Sequence, residues 1–227
     1  MKRDYLNGTD YTILQKEGMY HFNSDTELLG RFINVRRDDT VLDIGCASGA
    51  LMLYAAKYHP RSVTGIDLFE EVIQSAAENM AYNHFSAQLI CARVQDLKKG
   101  KYSLILCNPP YFETVNEDLV SKNPYLAAAR HEKYLTPDEL FEAVKRLLAD
   151  QGRFMMVHRA SRIHEIFDTA SKYGLRCVRM KLAYESQGKQ AKSAVMEFRM
   201  STRSEMRIEP PAYLDNRETF DERGIMQ

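Results

Sequence analysis

The sequence of 227 residues contains no apolar stretch near the roughly 18 residues that a membrane-crossing helix requires. No apolar core follows the charges of Met1-Lys2-Arg3-Asp4, so no secretory signal peptide is expected. The four cysteines, Cys46, Cys91, Cys107 and Cys177, lie far apart. There is no CxxC pair and no Cys/His cluster, so no metal site is expected. Buried free thiols in a reducing, cytoplasmic setting are the expectation. No internal repeat, low-complexity tract or interdomain linker is visible, and no obligate protein partner is indicated. The 11 methionines form no helical stripe and are expected to fill the core. Formal net charge is zero, which taken alone argues against a general nucleic-acid binder.

The charge that is present is unevenly placed. Arg153 to Arg207 carries 12 Lys/Arg against 5 Asp/Glu, a net of +7, while the flanking segments are acidic. Such a stretch is either a solvated face or a phosphate-binding surface. The length suits one domain, expected to comprise an N-terminal cap (1–35), a core (36–201) and a C-terminal tail (202–227).

Strands and helices alternate. Apolar runs predict strands at 40–44, 62–66, 88–94, 102–107 and 153–158, with helices over 50–58 and 70–83 between them. Thr136-Pro137-Asp138-Glu139 predicts a helix start, with Thr136 as N-cap, Pro137 at the first helical position and Glu139 completing a capping box. Ser161 is expected to cap a helix running to Lys172, and 177–184 with 194–200 to form a closing hairpin. The pattern implies an α/β fold: a Rossmann-like, mostly parallel seven-stranded sheet with an antiparallel C-terminal strand and helices on both faces. Residues 112–135 are a long connection, and one of that length is usually functional or partly helical.

Chemistry-bearing residues sit at the strand ends. After the first core strand comes Asp43-Ile44-Gly45-Cys46-Ala47-Ser48-Gly49. Its glycines allow a tight turn and close ligand approach, but Ala47 stands where a dinucleotide fingerprint has its second glycine. Asp67, with Leu68 after it, ends the second strand, where an acid can accept both ribose hydroxyls; the rival reading is a helix N-cap. Asp96 follows the third strand. The fourth strand stops at Asn108-Pro109-Pro110-Tyr111, since neither proline can donate to a ladder. An amide and a ring held there can grip a planar amine: the Asn108 oxygen and the Pro109 carbonyl accept its N–H groups and Tyr111 stacks on it. Upstream, in Phe22-Asn23-Ser24-Asp25, Asp25 is read chiefly as the cap of a helix beginning at Thr26.

The pattern D-x-G-x-x-x-G resembles motif I of class I methyltransferases, which bind S-adenosyl-L-methionine. That resemblance implies a cofactor site of Asp43, Gly45, Cys46, Gly49, Asp67, Leu68, Asp96 and Asn108. In it, Asp96 accepts the adenine exocyclic amine, Phe22 walls the methionine moiety and Asp25 approaches the cofactor's amino group. Motifs like Asn-Pro-Pro-Tyr occur in enzymes that methylate adenine amines, guanine amines of ribosomal RNA and glutamine amides of release factors. Cys107–Phe112, Ala129-Arg130-His131-Glu132, Met156–Arg159, Gly188–Ala191 and Ile208–Pro211 resemble the bacterial enzymes that methylate N6 of adenine 37 in valine tRNA. The resemblance implies methylation of an unstacked, single-stranded loop adenine of tRNA, with Arg130, His131, Lys189 and Lys192 as substrate contacts. Ribosomal guanine or protein glutamine as acceptor, and a non-catalytic binding protein of the same fold, remain the alternatives.

Overall fold

A computed structural model describes residues 2–111, 125, 134–200 and 205–215. Arg130 and His131 lie outside the described residues.

The chain opens with an antiparallel hairpin, β1 (Lys2–Tyr5) and β2 (Thr12–Gln15), followed by helix α1 (Ser24–Phe32). Strands then alternate with helices: β3 (Thr40–Ile44), α2 (Ala50–Ala56), β4 (Ser62–Asp67), α3 (Glu70–Tyr82), β5 (Gln88–Cys91) and β6 (Tyr102–Cys107). After the long connection come α4 (Pro137–Leu147), β7 (Leu148–Arg159), α5 (Ile163–Lys172), β8 (Leu175–Tyr184) and β9 (Ala191–Met200). Two short strands, β10 (Arg207–Ile208) and β11 (Ala212–Tyr213), follow.

The sheet order is β8-β9-β7-β6-β3-β4-β5, and β9 alone of these seven runs antiparallel to its neighbours. β10 and β11 both pair with β8 in parallel, making nine strands where seven were expected. Two-residue pairings of this kind carry no periodicity by which a sequence could announce them.

Period-two alternation explains the two core layers. In β6, Leu104 and Leu106 pack with α1, α2 and α3, while Ile105 and Cys107 pack with α4 and α5. In β7, Met155 and Val157 face the first layer, Phe154 and Met156 the second. With both faces covered, these strands read as continuous apolar runs rather than as alternating ones.

Helix starts follow local chemistry. Thr136 accepts the Glu139 N–H and the Glu139 carboxylate reaches back to the Thr136 N–H, so the expected capping box is present. Two expectations are corrected. α1 starts at Ser24, and its N-cap is Asn23, whose Oδ1 accepts from the Asp25 and Thr26 amides at 3.0 and 3.1 Å; Asp25 lies inside the first turn. Asn and Asp cap equally well, so sequence could not choose between neighbours. Ser161 does not cap α5, because a 3₁₀ turn over Ala160–Arg162 intervenes and makes Arg162 the cap residue. The cysteine expectation is also revised: Cys46 and Cys107 are buried and Cys177 partly so, but Cys91 is exposed at the end of β5.

Candidate active site

The parallel strands β3, β4, β5 and β6 end at one sheet edge, the edge where open α/β sheets bind ligands. A cavity lies there. The β3 side contributes Asp43, Gly45, Cys46 and Ser48, and the β4 side Asp67, Leu68 and Phe69. The segment after β5 adds Ala92 to Gln95, and β6 adds Asn108, Pro109 and Pro110. Gln15, Tyr20, Phe22 and Thr26 close it from the N-terminal segment.

The turn after β3 needs left-handed backbone at Gly45 (φ +69°) and Gly49 (φ +88°), which glycine adopts without steric cost. Ala47 also takes φ +47°, and its N–H donates to Asp67 Oδ2 at 3.0 Å. The other Asp67 oxygen accepts from the Leu68 N–H at 2.7 Å. Asp67 thus orients the turn from the neighbouring strand while still lining the cavity. Gly49 is the N-cap of α2 and is not a lining residue.

Asp43 is buried, and neither carboxylate oxygen has a hydrogen-bond partner among the described residues. Burial, reinforced by the nearby Asp67 charge, pushes its pKa well above the usual carboxylate range. Uncompensated buried carboxylates are costly. One at a cavity wall fits a ligand with a cationic group, as S-adenosyl-L-methionine has at its ammonium and sulfonium. Asp67 is likewise raised by burial, against the lowering effect of its backbone donors.

Asp96 departs from its expected place. It ends a 3₁₀ turn over Val94–Asp96, and that turn aims its side chain at solvent while Gln95 lines the cavity. The strand expected to run to Val94 stops at Cys91. Asp25 is also absent from the cavity wall. It is buried, and its Oδ1 accepts the Ser193 hydroxyl at 2.6 Å, tying α1 to β9.

At the β6 terminus the Asn108 amide is held at both ends. Its Nδ2 donates to Thr26 Oγ1 at 2.9 Å and its Oδ1 accepts from the Tyr111 hydroxyl. The Tyr111 ring packs edge-on against His158 at 5.1 Å, with the Arg159 guanidinium 5.4 Å from its centroid. Burial, with Asp25 nearby, keeps Tyr111 a phenol and therefore a donor. Arg162 donates to the Tyr111 carbonyl at 2.9 Å, which anchors the residue's backbone. Pro109 and Pro110 are buried in the cavity wall.

The basic stretch is largely paired within the protein. Lys181 meets Glu209 at 3.3 Å, Lys192 meets Glu185 at 3.1 Å and Arg199 meets Glu197 at 2.7 Å. Lys189 is exposed in the β8–β9 turn, at the same sheet edge as Asn108. Sequence reasoning missed Gln15, Thr26 and Gln95 as lining residues, since each owes its place to tertiary packing and none to a motif. Among the described residues no group of three or more His, Cys, Asp or Glu is arranged to hold a metal ion.

The model of the methyltransferase small domain family matches residues 10–121. Over 190 residues the chain is 30% identical to the tRNA1(Val) (adenine(37)-N6)-methyltransferase of Photobacterium profundum, covering 79% of this chain and 78% of that protein. Over 173 residues it is 31% identical to the protein of the same name from Shewanella halifaxensis, covering 74% and 69%. Among solved structures, a predicted O-methyltransferase from Agrobacterium tumefaciens superposes with a TM-score of 0.65 at 17% identity, covering 84% of this chain and 88% of that one. A tRNA m1G37 methyltransferase of M. jannaschii superposes at 0.62 and 12% identity, covering 85% and 53%. At those identities the structural likenesses speak for the fold.

Proposed function

The chain belongs to the tRNA1(Val) (adenine(37)-N6)-methyltransferase family, and from that premise we propose that Asn108 clamps the exocyclic N6 amine of a tRNA adenine, at position 37 beside the anticodon, for methylation. The observation that carries this reading is the Asn108 amide at the cavity wall, its nitrogen held by Thr26 and its oxygen left on the opposite side.

S-adenosyl-L-methionine, when bound, supplies an electrophilic methyl group carried on a sulfonium. Asp43, Gly45, Cys46, Asp67, Leu68 and Phe22 would hold it, with Gln95 where sequence had suggested Asp96 and with no part for Asp25. The acceptor nitrogen is a poor nucleophile, because its lone pair is delocalised into the purine ring. What the chain's own residues supply is placement. Asn108 Oδ1 and the Pro109 carbonyl accept the two amine protons and aim the lone pair. Pro110 stiffens the clamp. Tyr111, which stands beside the cavity and not in its wall, offers the base a stacking face opposite Arg159, a contact worth ~1–3 kcal/mol. Lys189 and Lys192 are positioned to meet substrate phosphate, Lys192 after release from Glu185. An anticodon-loop substrate fits a cytoplasmic reaction.

The test compares acceptors. Purified protein with labelled S-adenosyl-L-methionine should label tRNA and leave ribosomes and release factors unlabelled. Asn108→Ala should abolish labelling while cofactor affinity stays within about tenfold, since the amide acts on the acceptor. Labelling of ribosomes or a release factor in place of tRNA would refute the proposed acceptor.

A further inference from the structure

We propose that Thr26 is a positioning residue for this reaction: its hydroxyl decides which end of the Asn108 amide faces the acceptor. The inference rests on the reading of Asn108 as the acceptor clamp.

An asparagine amide is nearly symmetric in shape, and a half-turn about its last bond exchanges oxygen for nitrogen. Only one of the two orientations offers a lone pair to an incoming amine. Thr26, 82 residues away in sequence, accepts the Asn108 Nδ2–H at 2.9 Å. A hydroxyl by itself imposes no choice, because it can both donate and accept. The choice is made one step further back. Asn23 Oδ1 is fixed as an acceptor by the N–H groups of Asp25 and Thr26, which are unpaired donors of the first turn of α1. The Thr26 hydroxyl donates to that same oxygen at 3.4 Å. That contact is long, but among the described residues it is the one the Thr26 proton makes, and it leaves lone pairs toward Asn108. The amide nitrogen must turn toward Thr26, and Oδ1 must turn away.

Polarity therefore runs from the helix N-cap through Thr26 to the amide, and ends on Asn108 Oδ1, which receives the Tyr111 hydroxyl. Thr26 is 5% exposed and lines the cavity beside Asn108. An inverted amide would set Asn108 Oδ1 against the Thr26 lone pairs and present N–H groups to an acceptor that itself brings N–H groups. Nothing in the Asn-Pro-Pro-Tyr motif prevents that inversion.

Thr26→Val removes the hydroxyl and keeps the shape; Thr26→Ser keeps the hydroxyl. At saturating cofactor and tRNA, Thr26→Val should lower kcat about 10- to 100-fold, as misplacement of a positioning group does, and Thr26→Ser should bring it back to within about threefold of the parent. The loss should fall on kcat more than on cofactor affinity, because the amide acts on the acceptor. A second readout is independent of turnover. The Asn108 side-chain amide resonance, identified by its loss in Asn108→Ala, should exchange slowly with solvent in the parent protein and fast in Thr26→Val. Should the valine variant not fold, Thr26→Ala supplies the same comparison. Parent-like kcat in the hydroxyl-free variant, with Asn108→Ala inactive, would overturn the positioning role alone. A fall in kcat with unchanged amide exchange would overturn it too. Parent-like kcat in Asn108→Ala would instead overturn the clamp reading.

Discussion

The Tyr111 hydroxyl donates to Asn108 Oδ1, the oxygen assigned to the acceptor amine. A carbonyl oxygen has two lone pairs, so the contact occupies one and orients the other.

Tyr111→Phe keeps the ring and releases that lone pair. It should change kcat by less than about tenfold, one neutral hydrogen bond being worth about 1 kcal/mol. Tyr111→Ala removes the stacking face and should lower kcat/KM by roughly 10- to 100-fold, in line with ~1–3 kcal/mol per stacked base. Steady-state kinetics on tRNA separates the two. Equal losses in both variants would mean that the hydroxyl, not the ring, carries the effect.

Asp43 makes the cofactor-free fold pay for binding. Its pKa is raised in the folded state, so the folded protein holds a proton that the unfolded chain has released. That stabilising contribution is complete below the ordinary carboxylate range and is lost as pH rises toward the raised value. Asp43→Asn should therefore stabilise the cofactor-free protein at neutral pH by about 1–2 kcal/mol, with the gain shrinking toward pH 4. The same variant should bind S-adenosyl-L-methionine at least about tenfold more weakly, through loss of a buried charge pair. Melting curves and titration calorimetry read both effects, and stabilisation without loss of affinity would remove Asp43 from the cofactor site.

His158 acts in the opposite direction. It is 1% exposed, its Nδ1 has no hydrogen-bond partner among the described residues, and burial, aided by the Arg162 charge, lowers its pKa to about 4. The unfolded chain takes up a proton near pH 6.5, so stability present above that pH is lost as pH falls toward 4. Between pH 7 and pH 5 the parent protein should lose about 1–2 kcal/mol more than His158→Leu does. Denaturant midpoints across that range check it, and parallel pH dependences would show that His158 does not stay neutral in the fold.

Sequence revealed what local chemistry encodes. The Thr136 capping box, the β6 strand ending at two prolines and the acids Asp43 and Asp67 near the ends of β3 and β4 all depend on neighbours in the chain. It did not reveal what depends on packing. Asn23 rather than Asp25 caps α1, and the 3₁₀ turn after β5 exchanges Gln95 for Asp96 at the cavity. Lys181, Lys192 and Arg199 look free in sequence, but each finds a glutamate in the folded structure. The Thr26–Asn108 contact joins α1 to β6 across 82 residues, and no periodicity announces it.

The most direct test of the central claim is the identity of the methylated nucleoside. A valine-tRNA transcript, methylated with labelled S-adenosyl-L-methionine and digested to nucleosides, should yield N6-methyladenosine by mass spectrometry. A transcript carrying guanine at position 37 should yield none. Label in any other nucleoside, or N6-methyladenosine that survives the position-37 change, would contradict the account.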